Sequence, residues 1–99
     1  MPFVKVANTN EIKTGQGKPV NANGTEIALF NIDGTFYAIE NTCPHRGGPL
    51  AEGMLDDSIV TCPLHGWRFN VCTGKNVAMP VDVRTFEGKV EGDEVFVDV

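Results

Sequence analysis

Two short boxes hold the residues of this chain that are best suited to chemistry. The first reads C-P-H at residues 43–45, and after sixteen intervening residues the second reads C-P-L-H at residues 62–65. Together they contain both histidines and two of the three cysteines of the sequence. Thiolates and imidazoles are strong ligands for iron and zinc. Two cysteine–histidine pairs on two loops therefore predict a metal centre with the ligands Cys43, His45, Cys62 and His65.

A [2Fe–2S] cluster suits this ligand set because two thiolates cancel the charge of a core with two ferric irons and two sulfides. Four thiolates would leave the cluster two units more negative, and the added electron would cost more. A single zinc ion is an alternative, but zinc fingers usually place like ligands together along the chain. A Cys43–Cys62 disulfide is disfavoured because we see no export signal. A thiol enzyme would leave the second pair unexplained.

Length and charge narrow the classes of protein that are compatible with the sequence. Ninety-nine residues with a net charge of −5 predict one acidic domain and argue against nucleic-acid binding, which favours a basic surface. The first residues lack a basic stretch followed by an apolar run, so we expect no signal peptide, no membrane segment and a cytoplasmic location. An acidic docking face for a basic partner is one reading of Glu52, Asp56, Asp57, Glu91, Asp93 and Glu94, and an ordinary solvated surface is the other.

Short strands separated by turns must position the two boxes. We predict a first strand around Val4 and Val6, and a helical turn over residues 9–13 that is capped by Thr9 or Asn10. Further strands are predicted over residues 25–33, 35–40, 58–61, 67–71, 81–87 and 94–99. Asp33-Gly34 is typical of a type I′ hairpin turn. The fold class is therefore all-β and antiparallel, and each box follows a strand.

The boxes, extended to C-P-H-R-G-G at residues 43–48 and C-P-L-H-G-W at residues 62–67, resemble the two cluster loops of Rieske-type ferredoxins. The resemblance covers nearly the whole chain. It implies the Rieske iron–sulfur fold of three antiparallel sheets, as a single domain over residues 1–99. A cluster-binding lobe at about residues 41–79 would be inserted in the strand framework, with Pro80 in a loop that covers the cluster. The resemblance implies one [2Fe–2S] cluster, with Cys43 and Cys62 on the buried iron and His45 and His65 on the outer iron.

The chain departs from the respiratory branch of this family in ways that bear on the reduction potential. That branch has a disulfide between the two loops, where this chain has Gly48 and Leu64. It also has two hydroxyl donors, where this chain has Trp67 and Phe69. Fewer donors stabilise the reduced, negative cluster less, so we expect a potential at the low end, on the order of −150 to −100 mV. We also expect it to fall with pH over some alkaline range.

The resemblance implies a one-electron carrier with no catalytic turnover of its own. Its partners would be a flavin-containing reductase, which supplies the electron, and a Rieske-type terminal oxygenase, which receives it. One alternative is the small subunit of an NADH-dependent nitrite reductase, because that family shares the fold. Another is a Rieske protein that serves a different redox pathway. The presence of all four ligands favours the carrier.

The sequence also suggests roles for three residues in or near the boxes. We expect Cys72 to be a half-buried thiol near a turn, outside the ligand set, and a ligand or regulatory role is the alternative. We expect Trp67 to pack against the core, although a place at the partner surface is an alternative. Arg46 is adjacent to His45, and it either guides docking, stabilises the reduced cluster or is an ordinary solvated arginine.

Overall fold

The computed structural model describes residues 3–44, 48–64 and 66–99, and nearly all of its regular structure is β. The strands in these ranges are β1 (Phe3–Asn8), β2 (Gln16–Ala22), β3 (Thr25–Ile32), β4 (Thr35–Glu40), β5 (Met54–Asp56), β6 (Ile59–Thr61), β7 (Arg68–Asn70), β8 (Thr85–Phe86), β9 (Gly88–Glu91) and β10 (Glu94–Asp98). Single-turn 3₁₀-helices cover Thr9–Glu11 and Leu50–Glu52. Within the described ranges, no helix has the length and apolarity that crossing a bilayer requires.

The strands form three antiparallel sheets, which confirms the predicted fold class. The first sheet has the order β1-β10-β9, the second β2-β3-β4-β8, and the third β5-β6-β7. The third sheet comes between β4 and β8 along the chain, so both cysteine boxes lie in the part of the sequence that the second sheet encloses.

Strand β3 is apolar on both faces, as its sequence predicts, because it separates two hydrophobic cores. Ile27 and Leu29 face one core, which the first and second sheets share. Ala28 and Phe30 face the other core, between the second and third sheets, which also contains both box cysteines. Successive side chains of a strand point to opposite faces, so one strand can line two cores.

Two turns with the same backbone geometry fix the registers on either side of β3. Asp33 and Gly34 have φ of 52° and 88°, which confirms the predicted type I′ turn between β3 and β4. Asn23 and Gly24 have φ of 51° and 87° and join β2 to β3.

Strand β2 is absent from the sequence prediction, although Asn23-Gly24 is a strong hairpin signal. Gly17 and Pro19 are both unfavourable in a strand, because glycine weakens a strand and proline lacks a ladder donor. The structure accommodates Pro19 because β2 lies at the edge of its sheet. Gly17 is required by a close contact, since a Cβ there would lie 2.5 Å from the Phe30 ring. Strand β5, another edge strand, was also missed.

Two predicted elements differ from the structure. The helical turn begins after Asn8, not after Thr9 or Asn10, and the Asn8 N–H donates to Glu11 Oε2 at 2.8 Å. The predicted strand over residues 81–87 is wrong except for Thr85–Phe86, which pairs with β4. The closing hairpin is β9 with β10 instead, and before Thr85 the Arg84 carbonyl accepts the Glu40 N–H of β4 at 2.9 Å.

Candidate metal centre

The first cysteine lies at the end of a tight antiparallel ladder that continues from β4. The Leu50 N–H donates to the Asn41 carbonyl at 2.7 Å, and Thr42 forms a bridge with Pro49. The Cys43 N–H then donates to the Gly48 carbonyl at 2.9 Å. These successive pairs make Cys43 and Gly48 the last described pair of a hairpin stem.

The second cysteine lies at the end of another hairpin, which β6 and β7 form. The Cys62 N–H donates to the Trp67 carbonyl at 2.7 Å, and the Gly66 N–H donates back to the Cys62 carbonyl at 3.1 Å. Gly66 has φ of 77°, a conformation that L side chains rarely adopt. These two bonds therefore bring Gly66 and Trp67 back to Cys62 directly after strand β6.

The two hairpin ends touch each other at Gly48. A Cβ placed on Gly48 would lie 3.0 Å from Cys62 Sγ and 3.0 Å from Leu64 Cγ. Cys43 and Cys62 are 1% and 2% exposed, and they belong to the same core. The structure therefore brings two buried thiol groups, nineteen residues apart in sequence, to one region between the second and third sheets.

The remaining predicted site residues lie outside the described residues. They are His45 and His65, the two predicted imidazole ligands, and Arg46, the predicted neighbour of the first imidazole. The four-residue ligand set therefore stays a prediction, of which the described half is Cys43 and Cys62.

The described residues fit a [2Fe–2S] cluster by the chemistry and the shape of the site. Thiolates are the usual ligands of such clusters, and two hairpins in contact can supply them from two directions. Gly48 leaves clear the place beside Cys62 Sγ that a larger residue would fill. No disulfide occurs among the residues that the structure describes, so a Cys43–Cys62 bridge does not compete for these sulfurs.

Aromatic rings pack beside the second hairpin, where the sequence comparison with the respiratory branch placed hydroxyl groups. Phe69 is fully buried in the core that contains both box cysteines. Trp67 is half-buried and packs against that core, as predicted, with its ring centroid 6.4 Å from that of Phe69. Neither side chain carries a hydroxyl, which is consistent with the low potential that we expect.

An exposed apolar loop follows β7 and runs beside the second hairpin. The Val77 N–H donates to the Arg68 carbonyl at 2.9 Å, which holds the start of the loop against β7. Asn76 Oδ1 accepts from the N–H groups of Ala78 and Met79, each at 2.9 Å. Pro80 lies in this loop, where the resemblance expects a proline-containing cover, and the covering role stays a prediction.

Cys72 is exposed, which corrects the expectation of a half-buried thiol. It lies in the turn after β7, where Asn70 Oδ1 accepts its N–H at 2.8 Å. Because the neighbouring Val71 takes the buried position, the Cys72 side chain points away from the core. A hydrogen bond with the Cys72 thiol raises the pKa of the Tyr37 hydroxyl.

The acidic residues considered as a docking face divide between two turns. Glu91, Asp93 and Glu94 are at the turn between β9 and β10, where Lys89 pairs with Glu91 at 3.2 Å and Lys5 pairs with Glu94 at 2.8 Å. The others, Glu52, Asp56 and Asp57, are exposed near β5. Exposed ion pairs contribute little to stability, so this arrangement suits a solvated surface as well as a docking face.

Sequence reasoning overlooked Asn41, a buried residue that bonds with three neighbours at the stem of the first hairpin. An asparagine between an apolar strand and a box cysteine is the signal that could have found it, because a polar side chain at such a place needs partners.

Comparison with known proteins supplies an independent result. Residues 2–91 match the family model of the Rieske [2Fe-2S] domain. The ferredoxin component of the naphthalene 1,2-dioxygenase system of Pseudomonas aeruginosa is 37% identical over 91 residues, which cover 90% of this chain and 88% of that protein.

Among solved structures, the ferredoxin of carbazole 1,9a-dioxygenase from Nocardioides aromaticivorans superposes with a TM-score of 0.91. It is 33% identical, over 98% of this chain and 97% of that chain. A chain in the complex of reduced oxygenase and oxidized ferredoxin in carbazole 1,9a-dioxygenase is 37% identical, with a TM-score of 0.88, over 96% of this chain and all of that chain. A protein described as an NADH-dependent nitrite reductase small subunit from Mycobacterium tuberculosis has a TM-score of 0.90 over 97% of this chain and 93% of that chain. Because it is only 23% identical, it shows a shared fold alone.

Proposed function

This chain belongs to the Rieske [2Fe-2S] domain family, and on that premise we propose that it carries single electrons to a terminal oxygenase. It holds one [2Fe–2S] cluster, which takes up and releases one electron at a time. The observation that carries the proposal is the contact between the two cysteine hairpins, in a chain that matches ferredoxin components over most of its length.

We assign the ligands residue by residue. Cys43 and Cys62 hold the buried iron, and their burial at the ends of two touching hairpins supports this. His45 and His65 hold the outer iron, and their positions in the two boxes support this. The whole chain acts as one domain, with residues 41–79 as the cluster-binding lobe, and the place of the third sheet between β4 and β8 supports that division.

We propose a flavin-containing reductase as the electron donor and a Rieske-type terminal oxygenase as the acceptor, both in the cytoplasm. The related ferredoxin seen in complex with an oxygenase supports the acceptor, and the names of the relatives as components of dioxygenase systems support the donor. The protein itself turns over no substrate in this scheme, since both chemical transformations belong to the partners.

The ligand assignment is tested by iron and acid-labile sulfide analysis of the purified protein and of serine variants. Cys43→Ser and Cys62→Ser should each lose most of the iron and sulfide, whereas Cys72→Ser should keep both. Equal iron and sulfide, with a low average g in the EPR spectrum of the reduced protein, would support mixed cysteine and histidine ligation. Zinc without sulfide would contradict the assignment.

Electron delivery is tested by stopped-flow mixing of the reduced protein with the oxidised oxygenase of the naphthalene or carbazole system. We expect second-order oxidation of the carrier that slows as salt is added, because transient redox complexes are small and partly electrostatic. The protein without its cluster is the control.

A second candidate function is that of a nitrite reductase small subunit, because a protein of that description has the same fold. A pull-down from the native cell separates the two. Weak, salt-sensitive partners support the carrier, whereas a stable complex with a large flavin- and siroheme-containing protein would support the subunit.

A further inference from the structure

Asn41 is a buried asparagine, 2% exposed, whose four polar groups are all bonded. Its main chain donates to the Glu26 carbonyl at 3.4 Å and accepts from the Leu50 N–H at 2.7 Å. Its side-chain Oδ1 accepts from the Ala51 N–H at 2.9 Å, and Nδ2 donates to Glu26 Oε1 at 2.6 Å. One residue therefore joins β3, the stem of the first cysteine hairpin and the 3₁₀-helix Leu50–Glu52.

The residue that follows this helix contacts the second cysteine hairpin. Its last residue is followed by Gly53, whose N–H donates to the Leu50 carbonyl at 3.0 Å. A Cβ on Gly53 would lie only 2.1 Å from the Thr61 carbonyl oxygen, so the two backbones are in direct contact. Thr61 immediately precedes Cys62, and the contact therefore reaches the second box.

A continuous set of contacts thus runs from one cysteine to the other behind the place where their loops meet. On one side, Asn41 is two residues before Cys43, and its Oδ1 accepts a hydrogen bond from the Ala51 N–H. On the other side, Gly53 rests on the residue before Cys62. A change in the position of the Asn41 side chain would shift the helix, and with it the separation of the two loops.

The chemistry of the pair Asn41 and Glu26 explains why these residue types occupy these positions. A planar amide offers an acceptor to the Ala51 N–H and a donor to Glu26 at the same time. Glu26 is exposed at the start of β3 but supplies the acceptor that fixes which way the amide faces. Without that acceptor, a buried N–H group would lose its bond, which costs more than an average hydrogen bond contributes.

We propose that Asn41, oriented by Glu26, is a positioning residue that sets the spacing of the two cysteine loops around the cluster. The proposal rests on the assignment of Cys43 and Cys62 as ligands and is independent of the partner proteins. It concerns a hydrogen bond and not a charge, because the acceptor atom of Glu26 is what orients the amide.

The test compares three variants for iron release to a chelator and for the EPR spectrum of the reduced cluster. Glu26→Leu removes the acceptor, and iron release should become about tenfold faster with a wider spread of g values. Glu26→Gln keeps an acceptor oxygen without the charge, and both readouts should stay within about twofold of the unmodified protein. Glu87→Leu, at an exposed glutamate between β8 and β9, is the matched control for adding leucine to the surface.

Two results of the variant comparison would decide against the proposal. If Glu26→Leu lowers only the thermal stability and leaves iron release and the EPR spectrum unchanged, Asn41 is structural and the proposal is wrong. If Glu26→Gln releases iron as fast as Glu26→Leu, the charge is responsible. Glu26→Ala repeats the test with a smaller side chain if the leucine variant folds poorly. A cluster that behaves as expected but delivers no electron to an oxygenase overturns only the proposed function, whereas an unmodified protein without iron and sulfide overturns both.

Discussion

At the scale of the residue, the surroundings of the two cysteines include a glycine and an apolar aromatic ring. Gly48 has no side chain at the point where the two hairpins meet, and Phe69 presents a bare ring to the same core. Each can be changed by adding very few atoms, so each gives a direct test of the described half of the site.

Adding a methyl group at Gly48 should weaken cluster retention. The new Cβ would lie 3.0 Å from both Cys62 Sγ and Leu64 Cγ, so the loops must separate by a few tenths of an ångström. Overpacking of this kind costs about 1–3 kcal/mol. We expect Gly48→Ala to lose iron faster and to melt at a lower temperature.

Gly88→Ala is the matched control for this prediction. A Cβ there would make ordinary contacts, the nearest at 3.5 Å from the Phe36 carbonyl oxygen, and the residue does not have a positive φ. Retention of the cluster in Gly48→Ala at the level of Gly88→Ala would contradict the steric account.

Adding a hydroxyl at Phe69 should raise the midpoint potential. Phe69 shares the core of Cys43 and Cys62, and a donor there would favour the more negative, reduced cluster. We expect Phe69→Tyr to have a higher midpoint in protein-film voltammetry, while Phe86→Tyr, in the other core, should not. A midpoint well above zero in the unmodified protein would itself contradict the assignment of a low-potential centre.

At the scale of the element, hydrogen bonds between nearby residues hold a short helix that buries no side chain. The 3₁₀-helix Thr9–Glu11 contains no buried residue, yet it has a capping box with Asn8. Glu11 accepts from the Asn8 N–H at 2.8 Å and from Lys18 Nζ, which ties the helix to β2. The attachment of this helix to β1 and β2 therefore involves the carboxylate of one residue, Glu11.

Glu11 should stabilise the fold in a pH-dependent way. The hydrogen bond from Lys18, and then that from Asn8, lower the pKa of Glu11 below its ordinary value of 4.5. A lowered pKa in the folded state means that the stabilisation is present above the unfolded pKa and is lost as the pH falls through the folded pKa. Glu11→Gln should therefore melt below the unmodified protein at neutral pH, and the difference should close in acid.

Melting curves between neutral pH and about pH 3 measure this difference. Glu87→Gln provides the control for removal of one exposed negative charge. A gap between Glu11→Gln and the unmodified protein that stays constant across this range would contradict the role given to the carboxylate.

At the scale of the whole molecule, β3 divides the interior into two cores, and only one of them contains described cysteines. The described hydrophobic residues of the core between the first and second sheets are aliphatic and aromatic, with no cysteine among them. The core between the second and third sheets includes Cys43 and Cys62, and the strands of its third sheet have only three residues each.

Removal of iron should therefore loosen one half of the molecule more than the other. A metal centre that binds the folded state adds its binding free energy to stability, and the gain is local to the elements that hold the ligands. After chelation, we expect faster amide exchange in β6 and β7, whereas β1 and β10 keep most of their protection. Equal loss of protection in all three sheets would contradict this division.

Much of the fold could be predicted from the sequence because its signals are local. Alternating apolar residues located β4 and β10, and the Asp33-Gly34 dipeptide located a turn whose two positive φ values the structure confirms. The spacing of the cysteine–histidine boxes identified a family to which the chain proved to belong.

Other features escaped prediction because they depend on residues far away in sequence. Strand β2 tolerates Pro19 only because it lies at a sheet edge. The stretch after Pro80 forms strand pairs with β4 at Thr85 and Phe86, far away in sequence. Cys72 is exposed because its neighbour Val71 takes the buried position in the core between the second and third sheets.

The sequence by itself determined the family of this protein, since the residue types and the spacing of the two boxes lie along one short stretch of chain. Tertiary structure decided where the two proposed cysteine ligands lie and what surrounds them. Gly48 against Cys62, and Asn41 between Glu26 and Ala51, are contacts between segments ten to fifteen residues apart. Such contacts exist only when three sheets are packed, because no local preference of an asparagine or a glycine specifies which partner it will meet.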